Sequence, residues 1–166
     1  MKITGDELVE LMFLPMTDVK IVEMLDSLGI EQPVLDEQYE MDLKVTILDK
    51  ENSGFSFDFE EIDGYSLDGE PSLVKISFSD LEKIVLPFGL TTSDDYSNCC
   101  EKLNRKADFI PSFGKKSKIW TIKKDESTTF NIAVHYKDTE LTSIRSVVIN
   151  KFDKSRVGDS LLPNKD

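Results

Sequence analysis

Thr4-Gly5-Asp6-Glu7 has the form of a capping box, a threonine followed three residues later by a glutamate. Leu8, Leu11 and Met12 then recur at helical spacing until Pro15 ends the stripe. Thr17 can cap a second helix, with Ile21, Met24, Leu25 and Leu28 on one face and Gly29 as a left-handed stop. After Pro33 the helical period gives way to alternation. Leu43, Val45 and Ile47 alternate with Asp42, Lys44 and Thr46, and Glu51-Asn52-Ser53-Gly54 reads as a turn. Phe55, Phe57 and Phe59 alternate with Ser56, Asp58 and Glu60, the pattern of a half-buried strand. Residues 63–71 form a loop rich in turn formers, Leu73 to Phe78 is another strand, and Ser79-Asp80-Leu81-Glu82 can cap a single turn.

The pattern then starts again. Thr92-Ser93-Asp94-Asp95 caps a helix with Tyr96, Cys99, Cys100 and Leu103 facing inward and Asn104 as its stop. Ile119, Trp120 and Ile122 lie in a strand, Asp125-Glu126-Ser127-Thr128 turns, and Phe130, Ile132, Val134 and Tyr136 alternate with Asn131, Ala133 and His135. A last strand is expected from Leu141 to Ile149, and residues 151–166, without sustained period, are expected to fray. Shifting the chain by 75 lays Leu25, Leu28 and Gly29 on Cys100, Leu103 and Asn104, and Phe55, Phe57 and Phe59 on Phe130, Ile132 and Val134. A shift of 68 lays Leu73 and Ile76 on Leu141 and Ile144. The expected fold is α+β: two tandem helix-plus-antiparallel-meander units in one compact protein, residues 1–83 and 84–150, followed by a polar tail, 151–166.

Charge divides along the same boundary. Residues 1–83 carry 21 acids and 6 bases, and residues 84–166 carry 11 acids and 14 bases, so the net −12 is −15 on the first half and +3 on the second. Such a field attracts basic partners and repels nucleic acid. Ten Phe within a 39% apolar composition supply a core. No apolar run approaches the roughly 18 residues of a membrane span, and the start turns acidic at once, so neither membrane nor leader is expected. Cys99 and Cys100 are adjacent, which suits two reduced thiols on a helix in the cytoplasm better than a disulfide.

Candidate chemistry is sparse. The one histidine, His135, falls on the polar side of its strand and is expected to be solvated. No nucleophile elbow, phosphate-binding glycine loop, calcium loop or C-x-x-C pair occurs, so neither enzymatic activity nor any cofactor or metal is expected. Lys102, Arg105, Lys106, Lys115, Lys116, Lys118, Lys123 and Lys124, interleaved with Phe109, Phe113 and Trp120, have the composition of a single-strand-binding surface. The acidic first half and the core-like Ile119, Trp120 and Ile122 weigh against nucleic acid, and the cluster can instead meet the acidic half of the same molecule. The favoured surface is acidic: Asp58, Glu60, Glu61, Asp63, Asp68 and Glu70, with Tyr65 among them as an interface aromatic.

Phe13-Leu14-Pro15 with Leu28-Gly29, the central Leu86-Pro87-Phe88-Gly89-Leu90 and the ending Ile144-Arg145-Ser146-Val147 resemble small bacterial immunity proteins of polymorphic and contact-dependent growth inhibition toxin systems. The helix-plus-meander units also look like those of β-lactamase-inhibitor-type proteins. The resemblance spans roughly residues 8–150, with Asn104 where such units often have Gly. It implies an antitoxin that neutralises a cognate toxin by stoichiometric binding, and it carries over no binding residues; together with the charge asymmetry it makes a basic cytotoxic domain such as a nuclease the expected partner, and a monomer is expected. The alternatives are a DNA-mimicking anti-restriction or regulatory inhibitor and a small carboxylate-dependent hydrolase.

Overall fold

The first helix, α1 (Gly5–Glu10), starts where the capping box places it: Thr4 Oγ1 accepts from Glu7 N, and the Glu7 carboxylate accepts from Thr4 N at 2.6 Å. The computed structural model describes residues 3–32, 44–49, 54–61 and 70–166. The second helix, α2 (Val19–Ser27), is capped by Asp18 and not by Thr17; the Asp18 carboxylate accepts from Lys20 N at 2.9 Å. Thr17 instead donates its hydroxyl to Glu70. The third helix, α3 (Tyr96–Lys102), opens on a capping box of Asp95 and Asn98.

Helices α2 and α3 end alike. Gly29 has φ +70 and Ile30 N donates to Leu25 O at 2.9 Å; Asn104 has φ +59 and Arg105 N donates to Cys100 O at 3.0 Å. Both are six-to-one helix exits through a left-handed residue, and every participant in one lies 75 positions from its counterpart in the other. Asparagine serves because its short polar side chain tolerates that region better than most.

The described residues form eight strands: β1 (Lys44–Asp49), β2 (Phe55–Glu60), β3 (Ser72–Phe78), β4 (Phe109–Pro111), β5 (Ser117–Lys123), β6 (Thr129–Tyr136), β7 (Ile144–Lys151) and β8 (Leu161–Pro163). They form one antiparallel sheet in the order β1-β2-β3-β7-β6-β5-β4-β8. A single row of side chains runs across six of them: Ile47 opposes Phe57, then Ile76, Ile149, Ile132 and Trp120. The last five are fully buried. A one-residue slip at any pairing would throw that strand's apolar set to the other face, so this row fixes the register. Leu8, Met12, Ile21 and Leu25 of the first half and Cys99 and Leu103 of the second join the same core. The class is therefore α+β, with one sheet and one core shared by both halves; the strand order does not by itself make the halves repeats.

Two further expectations change. The last strand begins at Ile144, because Leu141 takes φ +57 and its carbonyl accepts from Tyr96 N at 3.0 Å. The C-terminal segment does not fray: β8 pairs with β4, and Asn164 Nδ2 donates to Ala107 O at 2.9 Å and to the Tyr96 hydroxyl at 3.1 Å. The expected turn residues Glu51, Asn52 and Ser53, the residues Asp42 and Leu43, and most of the 63–71 loop lie outside the described residues.

Candidate functional site

Asp58 and Glu60 alternate with the buried phenylalanines of β2 and so leave the sheet on its outer face. Neither stands alone there. Asp58 lies across the ladder from Lys75, 3.9 Å away, and Glu60 reaches Lys151 of β7 at 3.1 Å. With Asn150, Asp153 and Arg156 they line an open cleft of about 270 Å³ in which acids and bases balance. Pairs of this kind contribute little stability, but they cancel much of the field that the strand acids would otherwise project. Glu61 is exposed at the end of β2, and Glu70 accepts from Thr17. Asp63, Tyr65 and Asp68 lie outside the described residues. Helix α2 of the same half carries further exposed acids, Glu23 and Asp26, and Glu31 is exposed just past its end, none of them with an ion pair among the described residues. Glu23 and Asp26 carry no distinguishing signal in the sequence because they sit on the polar side of an amphipathic helix, where charge is the ordinary occupant.

The basic run of the second half is largely spent inside the fold. Lys102 pairs with Asp94 at 2.7 Å, Arg105 with Asp108, and Lys118 with Asp166 and Asn164. Lys124 crosses to the first half and donates to the carbonyls of Glu10 and Met12, 2.9 Å each. These are orphan acceptors at the C-terminal end of α1, where the helix dipole favours a cation. Burial pulls the Lys124 pKa down from the ordinary lysine value, against the opposing pull of Glu10 and Asp125. Of the interleaved aromatics, Trp120 is fully buried and Phe109 stacks on Phe152 with ring centres 6.3 Å apart. Phe113 alone faces solvent, 88% exposed.

Asp94 ties the 91–94 turn to α3 and is itself buried. Burial alone would raise its pKa; the Lys102 ammonium and the Thr91 N–H, 2.8 Å from the carboxylate, outweigh it and hold the group below the usual aspartate range. A depressed folded pKa stabilises the protein above the unfolded value, about 4, and that contribution is lost as pH falls through the folded value. Asp94→Asn is therefore expected to cost about 1–3 kcal/mol at neutral pH. The difference from wild type should shrink progressively below pH of about 4, as urea titrations at several pH values would show. A difference independent of pH would mean that the charge is not what matters.

His135 does point away from the core, but it is half-buried and hydrogen-bonded: Ser117 Oγ lies 2.6 Å from its Nδ1. Burial, with Arg145 adding to it, lowers its pKa below the usual imidazole value, so the ring is neutral at neutral pH. No carboxylate orients the other ring nitrogen among the described residues, so the pair lacks the third group of a catalytic triad. Cys99 and Cys100 are free thiols on α3, and burial pushes Cys99 up to about 11, which keeps it protonated. Among the described residues no three His, Cys, Asp or Glu side chains gather as a metal site, and no helix is long and apolar enough to cross a membrane.

Compared with protein-family models, curated proteins and solved structures, the chain matches none at a significant level.

Proposed function

We propose that the chain is a bacterial immunity protein that holds a cognate, basic cytotoxic domain in a stoichiometric complex in the cytoplasm, docking through its acidic first half. The observation that carries this reading is the partition of charge along the chain, −15 on residues 1–83 against +3 on the rest, with Glu23, Asp26, Glu31 and Glu61 exposed. Because β3 and β7 join the halves into one core, those carboxylates sit on a shared scaffold, and a fixed charge steers association better than a mobile one. The docking face in this proposal extends beyond the strand–loop acids, since Asp58 and Glu60 already have lysines beside them.

The internal duplication belongs to the same proposal. It is supported by the two matched helix exits and by a second pair of left-handed residues, Phe13 (φ +71) and Phe88 (φ +60), again 75 apart. Edge-to-edge pairing of β3 with β7 is also the arrangement that two related meanders would form about a two-fold axis.

Co-expression with the toxin domain encoded beside it is expected to abolish killing and to yield a 1:1 complex. Reversing the charge of Glu23, Asp26 and Glu61 together should slow association about tenfold or more at low salt and flatten its salt dependence. Unchanged rate and affinity would remove the proposed face. Equal competition for several unrelated DNA-binding proteins would point instead to a DNA mimic.

A further inference from the structure

Once the fold has used most of the basic and aromatic run of the second half, one contiguous element remains outside. Residues 112–116 join β4 to β5, and Phe113 at this tip is the most exposed large apolar side chain among the described residues. A single exposed apolar residue is ordinary on a protein surface. Three further features coincide with this one. Lys115 and Lys116 follow it, both exposed and with no ion pair among the described residues. A cavity of about 270 Å³ opens beside it, with an apolar wall of Ile110, Pro111 and Leu162, and Leu162 is itself 38% exposed. The tip is also rooted at both ends: Ser112 N donates to Ser160 O at 2.9 Å, and Tyr136 N donates to Lys116 O at 2.7 Å.

We propose that this hairpin tip is a knob that inserts into a protein partner, with Phe113 entering an apolar socket and acidic groups on the socket's rim meeting Lys115 and Lys116. An exposed aromatic on an anchored tip can fill a pocket of a partner, the two lysines beside it favour acidic groups around that pocket, and a tip held by backbone hydrogen bonds loses little entropy on docking. An anionic membrane is the poorer occupant: the molecule carries −12 overall, and a single aromatic ring gives little buried apolar area for insertion. Nucleic acid is poorer too, because the cations of the run at 102, 105, 118 and 124 are engaged within the protein. The inference rests on the chain working by binding a protein, and not on that protein being a toxin.

The test is a photo-crosslink from position 113, with Phe113→p-benzoylphenylalanine in the full chain, irradiated in the cell that makes it. One protein adduct is expected, mapping by mass spectrometry to an apolar segment flanked by Asp or Glu and lost with Lys115→Glu/Lys116→Glu. With the protein so identified, Phe113→Ala should weaken binding about tenfold or more, mainly through faster dissociation. No protein adduct, an adduct to lipid or nucleic acid only, or unchanged affinity of Phe113→Ala would overturn the knob. The two readings separate cleanly. A variant-sensitive adduct without protection from any toxin keeps the knob and removes the immunity function; protection and affinity undiminished by Phe113→Ala do the reverse.

Discussion

Trp120→Ala is expected to destabilise the protein by about 3–5 kcal/mol, a large fraction of the roughly 5–15 kcal/mol that a domain of this kind possesses. Trp120 ends the buried row that crosses six strands, opposite Ile132, and is fully excluded from water. Its ring packs against Tyr96 of α3 at 5.8 Å between centres, and its Nε1 donates to Arg105 O at 2.9 Å. That carbonyl belongs to the residue just past the left-handed helix stop Asn104, so the indole fixes the chain where it leaves α3. Removing the side chain leaves a cavity between helix and sheet and strips Arg105 O of this donor. Trp120→Phe separates the two effects. It retains much of the packing and loses the hydrogen bond, for an expected cost nearer 1–3 kcal/mol. Urea denaturation followed by circular dichroism is the suitable measurement, since Trp120 is the sole tryptophan and its emission disappears in both variants. If Trp120→Ala unfolds at the wild-type midpoint, the row does not organise the core.

The inner face of the sheet was legible in the sequence because its signal is local. Phe55, Phe57 and Phe59 alternate with polar residues, as do Phe130, Ile132, Val134 and Tyr136, and each set is buried as the alternation requires. Helix ends were legible for the same reason: Thr4 with Glu7, and Gly29 and Asn104 as stops, act through neighbours a few residues away. What was missed depends on contacts between distant segments. Strands β4 and β8 are three residues each and contain Pro111 and Pro163; too short to alternate, they exist because they pair with each other at the sheet edge. Thr17 was the cap expected for α2, but its hydroxyl goes to Glu70 from a distant segment, and Asp18 caps the helix instead.

The acidic surface shows the same limit. That Asp58 and Glu60 project outward follows from alternation, but Lys151 beside Glu60 lies on another strand far along the chain. Summed charge is readable from a sequence; which charges remain uncompensated is a property of the fold. The basic run makes the point in reverse. Eight cations close in sequence suggested one surface, whereas Lys124 is turned to the end of α1 and Lys118 to the C-terminal segment. Within β5 itself Lys118 and Lys123 leave on opposite faces, because Lys118 opposes Val134 and Lys123 opposes Thr129, residues on opposite faces of β6.

Gly5→Ala should be the second most damaging small change, against what helix propensity alone would suggest. Gly5 is the first residue of α1, and in an unencumbered helix alanine is favoured over glycine by about 1 kcal/mol. Here α1 abuts the 3-10 turn at Pro87–Gly89. Gly5 N donates to Val85 O at 2.7 Å, and the Asp6 carboxylate accepts from Phe88 N at 2.8 Å. That second bond helps hold Phe88 at φ +60, an unfavourable conformation for a bulky residue, while its ring packs on Phe130. A Cβ on Gly5 would lie 2.4 Å from Pro87 N, 2.5 Å from Pro87 Cδ and 2.8 Å from Leu86 C. Those are backbone and ring atoms that cannot rotate aside, so α1 must move and loosen both hydrogen bonds. Overpacking of this kind costs about 1–3 kcal/mol, and the lost bonds add to it, so a net cost of about 2–4 kcal/mol is expected despite the better helix former. Gly29→Ala is the control: nothing lies within 4 Å of its Cβ, and only the positive φ opposes it, for about 1 kcal/mol. Were Gly5→Ala to melt at or above the wild-type temperature, the close approach of α1 to Pro87 would not exist. The first helix would then keep its place against the second half through the Lys124 cap and the shared core.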